Sequence, residues 1–271
     1  MIKKKFGITG AKGSLGRILI KQNPGIKFIC FKGDIRSRFK VKKWVLDNEF
    51  DTIIHLAAIV PIKTVNQNKK KALQVNFDGT KHLVDAILKS KTKWFFFAST
   101  SHVYSSSKKK ISESFPKNPT SYYGKTKLLA ENYIIKNLNR SKIRFCIGRI
   151  FSTSNVNQKK NYLVPDLINK TKKVRNLIEL ENLNHYRDFI SMVDISKIIM
   201  MLYKKNFQGK INIGRGKAIL LKDIAKIISK KFKKNCKFKD NKKITYLVAN
   251  IDKLKKYFKF NKNTKLEKII F

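Results

Sequence analysis

The sequence predicts an α/β protein built on a doubly wound parallel sheet, and two observations support this. A glycine-rich string, TGAKGSLG at residues 9–16, directly follows a short apolar run. Beyond it, short apolar runs rich in β-branched or aromatic residues alternate with segments whose apolar residues recur at helical spacing. Alternating strands and helices are typical of a parallel sheet covered by helices on both faces.

The predicted elements follow in order along the chain. The first strand covers 5–8, and the apolar residues after the glycine-rich string begin a helix. Helices are also predicted from one apolar stripe each in 41–45, 75–88 and 128–134. The further buried strands are predicted at 27–31, 52–56, 93–98 and 143–147.

The glycine-rich string predicts a turn that binds the pyrophosphate of a dinucleotide. Gly10 permits a tight turn, and Gly13 removes the Cβ that would keep the backbone away from a phosphate. Gly16 lets the helix close onto the strand, and free N–H groups at the helix N-terminus suit an anion. Glycine-rich turns also occur in other α/β proteins, so only residues further along the chain can show whether this turn binds a dinucleotide. The predicted cofactor contacts at the turn are Gly10, Lys12, Gly13, Ser14, Leu15 and Gly16.

Composition limits the class of protein. A chain of 271 residues with 42% hydrophobic residues can bury a sizeable core, as one large domain or as a domain with an appended lobe. The formal net charge of +45 would by itself suggest a nucleic-acid partner. However, Lys is spread along the whole chain and Arg is scarce, whereas phosphate-reading surfaces concentrate Arg and aromatic residues. We therefore expect no specific nucleic-acid partner, and a basic nucleic-acid-binding protein is kept as an alternative.

Neither a membrane segment nor a metal site is expected. The longest apolar stretches are far below the roughly 20 residues that span a bilayer, and the first strand begins too early to leave room for a signal peptide. Cys30, Cys146 and Cys236 show neither metal-ligand spacing nor a disulfide framework. The sequence thus predicts a cytoplasmic enzyme that holds no metal.

Residues 97–127 carry the candidate chemistry. Ser99 and Thr100 end a predicted strand with hydroxyl groups where the sheet opens. Tyr123 begins the next helix, and Lys127 follows four residues later on the same face. A Tyr hydroxyl titrates near ~10, and a neighbouring ammonium stabilises its phenolate. A Tyr–Lys pair with one hydroxyl is therefore a device for interconverting an alcohol and a ketone.

A second pair has the same spacing. Tyr104 and Lys108 are also four residues apart, and in a chain this rich in Lys such matches arise by chance. Tyr104 leads into a Ser- and Lys-rich stretch at 105–110, which predicts a solvated loop. Tyr123 instead begins an amphipathic helix that can hold it against the sheet, so we assign proton transfer to Tyr123.

Taken together, the motifs resemble the extended short-chain dehydrogenases/reductases of the nucleotide-sugar epimerase/dehydratase family. TGAKGSLG resembles the glycine turn of that family, and YGKTK at 123–127 resembles its Tyr–Lys motif. The resemblance implies a Rossmann-type doubly wound parallel sheet with a small C-terminal substrate lobe. It runs nearly end to end through GDIR at 33–36, HLAA at 55–58, VNFDGT at 75–80, FASTSHVYS at 97–105, RIF at 149–151, RDFI at 187–190 and INIG at 211–214.

The resemblance implies roles for individual residues. Tyr123 is the implied proton donor or acceptor. Lys127 lowers the pKa of that hydroxyl and binds the nicotinamide ribose. Thr100 orients the substrate, and Ser101 is a further substrate contact. The remaining implied cofactor contacts are Asp34, Ile35, Leu56, Ala57, Ala58, Asn76 and Ser99.

Arg187 is the position that meets the nucleotide diphosphate in this family, where a bidentate guanidinium suits phosphate. The alternative is a structural role in which Arg187 pairs with Asp188 or caps a loop. His55 and His102 have no legible carboxylate partner and are predicted to be packing or hydrogen-bonding residues.

Departures from the family bear on the reaction. Dehydratases of this family carry an Asp–Glu pair directly after the catalytic Thr, whereas this chain has Ser101 and His102. Dehydration is therefore disfavoured, and a 4-keto-sugar reductase or an epimerase is predicted. Ser152 replaces the usual Asn after the Arg-x-Phe element, so sugar contacts there do not carry over. The alternative is a non-catalytic dinucleotide-sensing protein, which the intact Tyr123 and Lys127 disfavour.

The implied cofactor is NAD or NADP, with a slight preference for NADP. The second predicted strand ends without the acid that accepts a ribose 2′-OH. Lys12, Arg17 and Lys32 could neutralise a 2′-phosphate instead. The implied partner is a nucleotide-sugar substrate, and a homodimer is left open.

The same landmarks divide the chain into two parts. Residues 1–150 are assigned to the cofactor domain, and 193–233 return to it. Residues 151–192 and 234–271 are assigned to the small substrate lobe.

Overall fold

A computed structural model of the protein describes residues 4–155, 158, 162–239, 243–261 and 264–271. Within these residues the centre of the fold is a parallel sheet of six strands. This arrangement confirms the predicted doubly wound sheet. Across the sheet the strands lie in the order β10 (Gly209–Ile213), β5 (Arg144–Ile150), β4 (Trp94–Thr100), β3 (Thr52–His55), β1 (Phe6–Thr9) and β2 (Phe28–Cys30).

Strands β4 and β5 continue beyond their predicted ends because they keep pairing at the carboxyl edge. Thr100 lies opposite Ile150 in the register of these two strands. The hydroxyl groups of Ser99 and Thr100 are therefore carried by a strand and not by a loop. This position makes them part of the rigid sheet.

Helices cover both faces of the sheet. One face carries α1 (Ser14–Gln22) and α8 (Met192–Lys204), which pack on each other. The other face carries α2 (Arg38–Asn48), α5 (Gly79–Ile87) and α6 (Tyr122–Leu138). The chain between β3 and α5 forms α3 (Ile62–Gln67), α4 (Lys69–Leu73) and a π-helical turn (Gln74–Asp78).

The order of the strands places a binding crevice at β1. Strand β2 lies on one side of β1 and β3 on the other, so the order of the strands reverses at β1. Ligands of open parallel sheets bind at such a reversal, outside the carboxyl ends of the strands. The glycine-rich turn follows β1 and therefore lies at this crevice.

A third hydrophobic cluster forms the core of the smaller lobe. The elements of this region are β6 (Ser152–Ser154), α7 (Leu163–Lys173), β7 (Leu177–Glu181), β8 (His185–Arg187), β9 (Phe189–Ser191), β11 (Ile219–Leu220), α9 (Leu221–Lys231), β12 (Asn235–Lys239), β13 (Thr245–Leu247), α10 (Asp252–Lys255) and α11 (Glu267–Ile270). Two short sheets frame this lobe, β12–β7 and β11–β8–β13, and β6 pairs with β9 between the lobe and the main sheet.

The packing divides the chain differently from the predicted boundaries. Helix α9 lies within 193–233, which we expected to return to the cofactor domain, yet its residues Ile224 and Ile228 pack in the core of the lobe. Conversely, Ala249 and Leu254 pack in the core on one face of the main sheet. We therefore propose that α9 belongs to the lobe and that the chain returns to the main sheet a second time, near Ala249.

Among the described residues, no helix combines the length and the apolar character that crossing a membrane requires. In the same part of the chain, no cluster of His, Cys, Asp and Glu side chains is arranged to hold a metal ion.

Candidate active site

Three neighbouring cavities open at the carboxyl ends of the strands. The turn cavity, about 720 Å³, is lined by the glycine turn together with Lys12 and Arg17. The central cavity, about 220 Å³, lies between the glycine turn and Tyr123. The lobe cavity, about 340 Å³, lies between Tyr123 and Arg187. Tyr162 lines all three, so the cavities adjoin one another, and together they are called the cleft.

The glycine turn has the shape that a pyrophosphate site requires. Gly10 has φ +73°, which side chains with a Cβ rarely adopt. A Cβ on Gly16 would lie 2.5 Å from the carbonyl oxygen of Gly10, so the helix could not close. Gly13 is the N-cap of α1, and its Cβ position has a single near neighbour at 3.2 Å, again the Gly10 carbonyl. The turn thus leaves room for an anion at the N-terminus of α1.

The other residues predicted at this edge also border the cleft. Ser14 lines the turn cavity and the central cavity, and Leu15 lines the central one. Leu56 and Ala58, which follow β3, form the opposite wall. Ala57 contributes its backbone N–H to the Thr9 hydroxyl at 3.3 Å, which holds the end of β3 against the end of β1.

Asn76 acts as a clamp between three segments. It is fully buried in the π-helical turn, and its amide oxygen accepts from the N–H of Ile59 at 2.8 Å. Its amide nitrogen donates to the Ile59 carbonyl at 3.0 Å and to the Thr126 hydroxyl at 3.2 Å. Asn76 therefore fixes the wall of the cleft relative to α6 and has no side-chain atom left to extend into it.

Asp34 lies on the surface beyond β2. The Arg36 guanidinium donates to both of its carboxylate oxygens at 2.6–3.0 Å, and this ion pair lowers the pKa of Asp34 to about 2. Ile35 is buried against Gly79, where an added Cβ would come within 2.9 Å of it. The segment that carries the implied cofactor contacts Asp34 and Ile35 is thus ordered by its own contacts.

Tyr123 and Thr100 line the central cavity and the lobe cavity, whereas Lys127 is not among the residues that line them. Tyr123 and Lys127 lie one turn apart on α6, and both are buried. The Tyr123 hydroxyl shares a hydrogen bond with the side chain of Thr100. The Lys127 ammonium lies over the ring of Phe97, 3.9 Å from its centroid. The structure therefore brings Tyr123 and Thr100 together, while the described contact of the Lys127 ammonium is with Phe97.

Burial dominates the proton affinities of this group. It raises the pKa of Tyr123, the nearby Tyr162 raises it further, and the hydrogen bond with Thr100 opposes both. Burial also lowers the pKa of Lys127 to about 7, against the opposing charge of Glu131. Desolvation thus works against the lowering of the Tyr123 pKa that we expected from Lys127.

The predicted solvated loop at 105–110 begins only after Tyr104. Tyr104 is 2% exposed and lies in the core. Its hydroxyl donates to the Asn212 side chain at 2.8 Å and accepts from Arg149 at 2.6 Å, and burial raises its pKa to about 12. The chain turns outward only after Tyr104, where Lys108 is exposed. Tyr104 is therefore committed to the core, and the alternative Tyr–Lys pair does not form.

Beneath Tyr123 lies a buried polar network that sequence reasoning did not find. Glu131 on α6 pairs with Arg149 on β5 at 2.6 Å, and neither side chain is exposed. The hydroxyl of Ser99 donates to Glu131 and so belongs to this network, and Ser99 also lines the central cavity. A usable signal was present, because Glu131 follows Lys127 at the same four-residue spacing.

Arg187 lines the lobe cavity together with Thr100 and Ser101. Its guanidinium donates to the Tyr186 carbonyl and to two oxygens of Thr245, at 2.8–3.2 Å. These partners are neutral, and burial lowers the pKa of Arg187 to about 10. Arg187 is thus a half-buried cation at the lobe cavity whose described hydrogen bonds go to neutral groups.

The alternative pairing of Arg187 with Asp188 is absent from the described contacts. The Asp188 carboxylate instead accepts from the backbone N–H groups of Arg215, Gly216 and Ala249 at 2.8–3.2 Å. Asp188 thus joins two loops. The hydrogen bonds of Arg187 to Tyr186 and Thr245 are structural contacts of the kind that the other alternative, a loop-capping role, expects.

His55 is a hydrogen-bonding core residue, as predicted. Its ring contacts the hydroxyl groups of Thr9 at 2.6 Å and Thr80 at 3.0 Å. Burial, with a contribution from the charge of Lys127, lowers its pKa to about 3.

Tyr162 lines the cleft, although no sequence motif indicated it. It is distant from Tyr123 in the sequence, and only the fold brings the two residues to the same cavities.

Comparison with known proteins agrees with this geometry. Residues 8–270 match the family described as GDP-mannose 4,6 dehydratase. GDP-6-deoxy-D-talose 4-dehydrogenase of Aggregatibacter actinomycetemcomitans is 30% identical over 224 residues, which cover 78% of this chain and 74% of that protein. The dTDP-D-glucose 4,6-dehydratase of Homo sapiens is 28% identical over 212 residues, which cover 78% of this chain and 59% of that protein.

Among solved structures, MoeE5 in complex with UDP-glucuronic acid and NAD aligns with a TM-score of 0.85 at 19% identity. The alignment covers 97% of this chain and 95% of MoeE5, and it shows a common fold. With a family match over nearly its whole length, this chain belongs to the GDP-mannose 4,6 dehydratase family, within the extended short-chain dehydrogenases/reductases that include nucleotide-sugar epimerases and dehydratases.

Proposed function

We propose that the protein moves a hydride between NAD(P) and a sugar carbon of a nucleotide-diphospho-sugar, as a 4-keto-sugar reductase or an epimerase. One observation carries the proposal. Tyr123 and Thr100 line both the central cavity, which reaches the glycine turn, and the lobe cavity, which holds Arg187. The proton-transfer group thus lies between a phosphate-binding turn on one side and a cation for a second phosphate group on the other.

Each residue of the proposed site has a separate role in the transfer of the hydride and the proton. A dinucleotide held by the glycine turn would supply or accept the hydride. Because burial raises the pKa of Tyr123, its hydroxyl is protonated at neutral pH and can donate to the oxygen of a keto-sugar as that carbon is reduced. Thr100 shares a hydrogen bond with that hydroxyl and orients it. The Lys127 ammonium, one turn along α6, stabilises the phenolate that remains.

Three features favour this reaction over dehydration. Expelling water from a hexose needs an acid and a base next to the catalytic Thr, and those positions are Ser101 and His102. The described residues that line the lobe cavity include no Asp or Glu. In addition, a relative that covers most of the chain is named as a 4-dehydrogenase of a GDP-6-deoxy sugar.

NADP is the proposed preferred cofactor, although known structures of this fold hold NAD. Lys12 and Arg17 are exposed at the turn cavity and could pair with a 2′-phosphate. The Asp34 carboxylate, the nearest acid after β2, is already engaged by Arg36. Calorimetric titration with both dinucleotides tests this choice, and equal or tighter binding of NAD would reject it.

The reaction is tested by incubating the purified protein with UDP-, GDP- and dTDP-sugars, including 4-keto-6-deoxy forms. Cofactor absorbance and product mass are followed together. A stoichiometric loss of NADPH supports a reductase, and an isomer of unchanged mass with no net cofactor change supports an epimerase. Loss of water from a nucleotide-hexose would overturn the proposal. Dinucleotide binding without any turnover would favour the sensing protein.

A further inference from the structure

His102 occupies a fixed position beside the proposed proton donor. It lies in a short 3-10 turn (Ser101–Val103) that directly follows β4. Its backbone N–H donates to the Thr100 hydroxyl at 3.2 Å. Its carbonyl oxygen packs on Gly124 of α6 so closely that a Cβ there would overlap it. The backbone of His102 therefore packs directly against the start of α6, next to Tyr123.

His102 lines the lobe cavity. Its ring lies edge-on to the Tyr123 ring, with 6.0 Å between the centroids and 67° between the planes. Thr100, Ser101 and Arg187 line the same cavity. Within the described part of the chain, no group hydrogen-bonds either ring nitrogen of His102. Two polar atoms are thus available to a ligand at the point where Tyr123 would act.

The ring is held neutral. Burial and the charge of Arg187 lower the pKa of His102 to about 4. A neutral imidazole has one N–H donor and one nitrogen acceptor, which together match an alcohol group that both accepts and donates. A half-buried polar group that finds no partner in the bound complex costs binding free energy. The ring therefore favours a ligand with a hydroxyl at this place.

We propose that the His102 imidazole hydrogen-bonds the 3-hydroxyl of the sugar and selects substrates that carry it, an inference that rests on the proposed function. Carbon 4, the carbon at which the hydride would move, has two ring neighbours. Carbon 5 carries the ring oxygen, so the hydroxyl next to the reacting carbon is the one on carbon 3. In this role His102 determines substrate specificity and does not act as the acid or base of a dehydration.

The test compares a 4-keto nucleotide-sugar that the enzyme turns over with its 3-deoxy analogue, in four proteins. These are the wild type, His102→Gln, His102→Leu and the control His82→Leu. His82 is a half-buried histidine on α5, outside the lobe cavity. The readout is the ratio of kcat/KM for the two substrates, with dinucleotide binding and thermal unfolding measured on each protein.

We expect the wild type and His82→Leu to prefer the hydroxylated substrate by at least about 100-fold, as sites built around a substrate hydroxyl do. In His102→Leu the ratio should fall to within about threefold of unity, whereas His102→Gln, which keeps a donor and an acceptor, should retain a preference of about tenfold or more. A ratio in His102→Leu equal to that of the wild type overturns the inference alone. A wild type that turns over no nucleotide-sugar overturns the proposed function as well, so the two failures are distinguishable.

Discussion

Glu131 and Arg149 form an ion pair of 2.6 Å inside the protein, with neither side chain exposed to solvent. Glu131 lies on α6 one turn after Lys127, and Arg149 lies on β5. Arg149 also donates to the Tyr104 hydroxyl at 2.6 Å. The pair therefore ties α6, which carries the proposed proton donor, to the sheet and to the core.

Breaking this pair is expected to destabilise the fold. Glu131→Gln leaves the Arg149 guanidinium buried without its ionic partner, which costs about 3–5 kcal/mol in comparable cases. We expect a loss of that size in the free energy of unfolding, measured by urea titration. Glu179→Gln is the matched control, because Glu179 is exposed and lies 3.9 Å from Lys237. Its effect should stay below about 0.5 kcal/mol. Similar small effects of both variants would contradict a stabilising role for the buried pair.

The choice between the two Tyr–Lys pairs can be tested directly. Tyr123→Phe removes only the hydroxyl that would transfer the proton, so kcat should fall by at least about 100-fold. Dinucleotide affinity, measured by calorimetry, should be nearly unchanged. Tyr104→Phe should stay active but unfold at lower temperature, since Arg149 and Asn212 both lose a hydrogen-bond partner. An inactive Tyr104→Phe together with an active Tyr123→Phe would reverse the assignment.

The glycine turn makes a prediction about cofactor binding. Gly13 caps α1 at the cleft, and a Val side chain there would occupy the space where the backbone must approach a pyrophosphate. Gly13→Val should therefore raise the dinucleotide Kd by at least about tenfold, a change of ~1.4 kcal/mol. Gly25→Val is the control, because a Cβ at Gly25 meets nothing within 4 Å. Unchanged affinity in Gly13→Val would mean that the turn is purely structural.

The buried His55 predicts a pH dependence of stability. Its pKa is about 3 in the folded protein, below its ordinary value of 6.5, so below pH 6.5 the unfolded chain binds a proton that the folded chain excludes. The free energy of unfolding should therefore fall as the pH drops from 6.5 toward 3, by up to about 1.4 kcal/mol per pH unit from this group. Above pH 6.5 the effect is absent.

Comparing the wild type with His55→Asn isolates this contribution. The variant loses the contacts with Thr9 and Thr80 and should be less stable overall, so the slope is the informative quantity. Urea titrations at pH 6.5, 5.5 and 4.5 should give a flatter dependence in His55→Asn. Parallel slopes in the two proteins would show that His55 does not cause the acid sensitivity.

The sequence by itself determined the sheet, the glycine turn and the Tyr123–Lys127 pair. These features depend on short-range patterns: the alternation of apolar runs, the need for Gly at φ +73°, and the four-residue spacing that puts two side chains on one helix face. Each of these patterns involves residues that are close together in the sequence, so it can be recognised without knowledge of the tertiary structure.

Tertiary structure alone decided which polar groups face the cleft and which face the core. Tyr104 turned inward because Arg149 and Asn212, far along the chain, hydrogen-bond it. Asp188 accepts hydrogen bonds from the loops at Arg215 and Ala249, and the neighbouring Arg187 bonds Tyr186 and Thr245 instead. Except for Tyr186, these hydrogen-bond partners are tens of residues apart in the sequence. A buried polar side chain needs such a partner, and only the fold determines which distant residue supplies it.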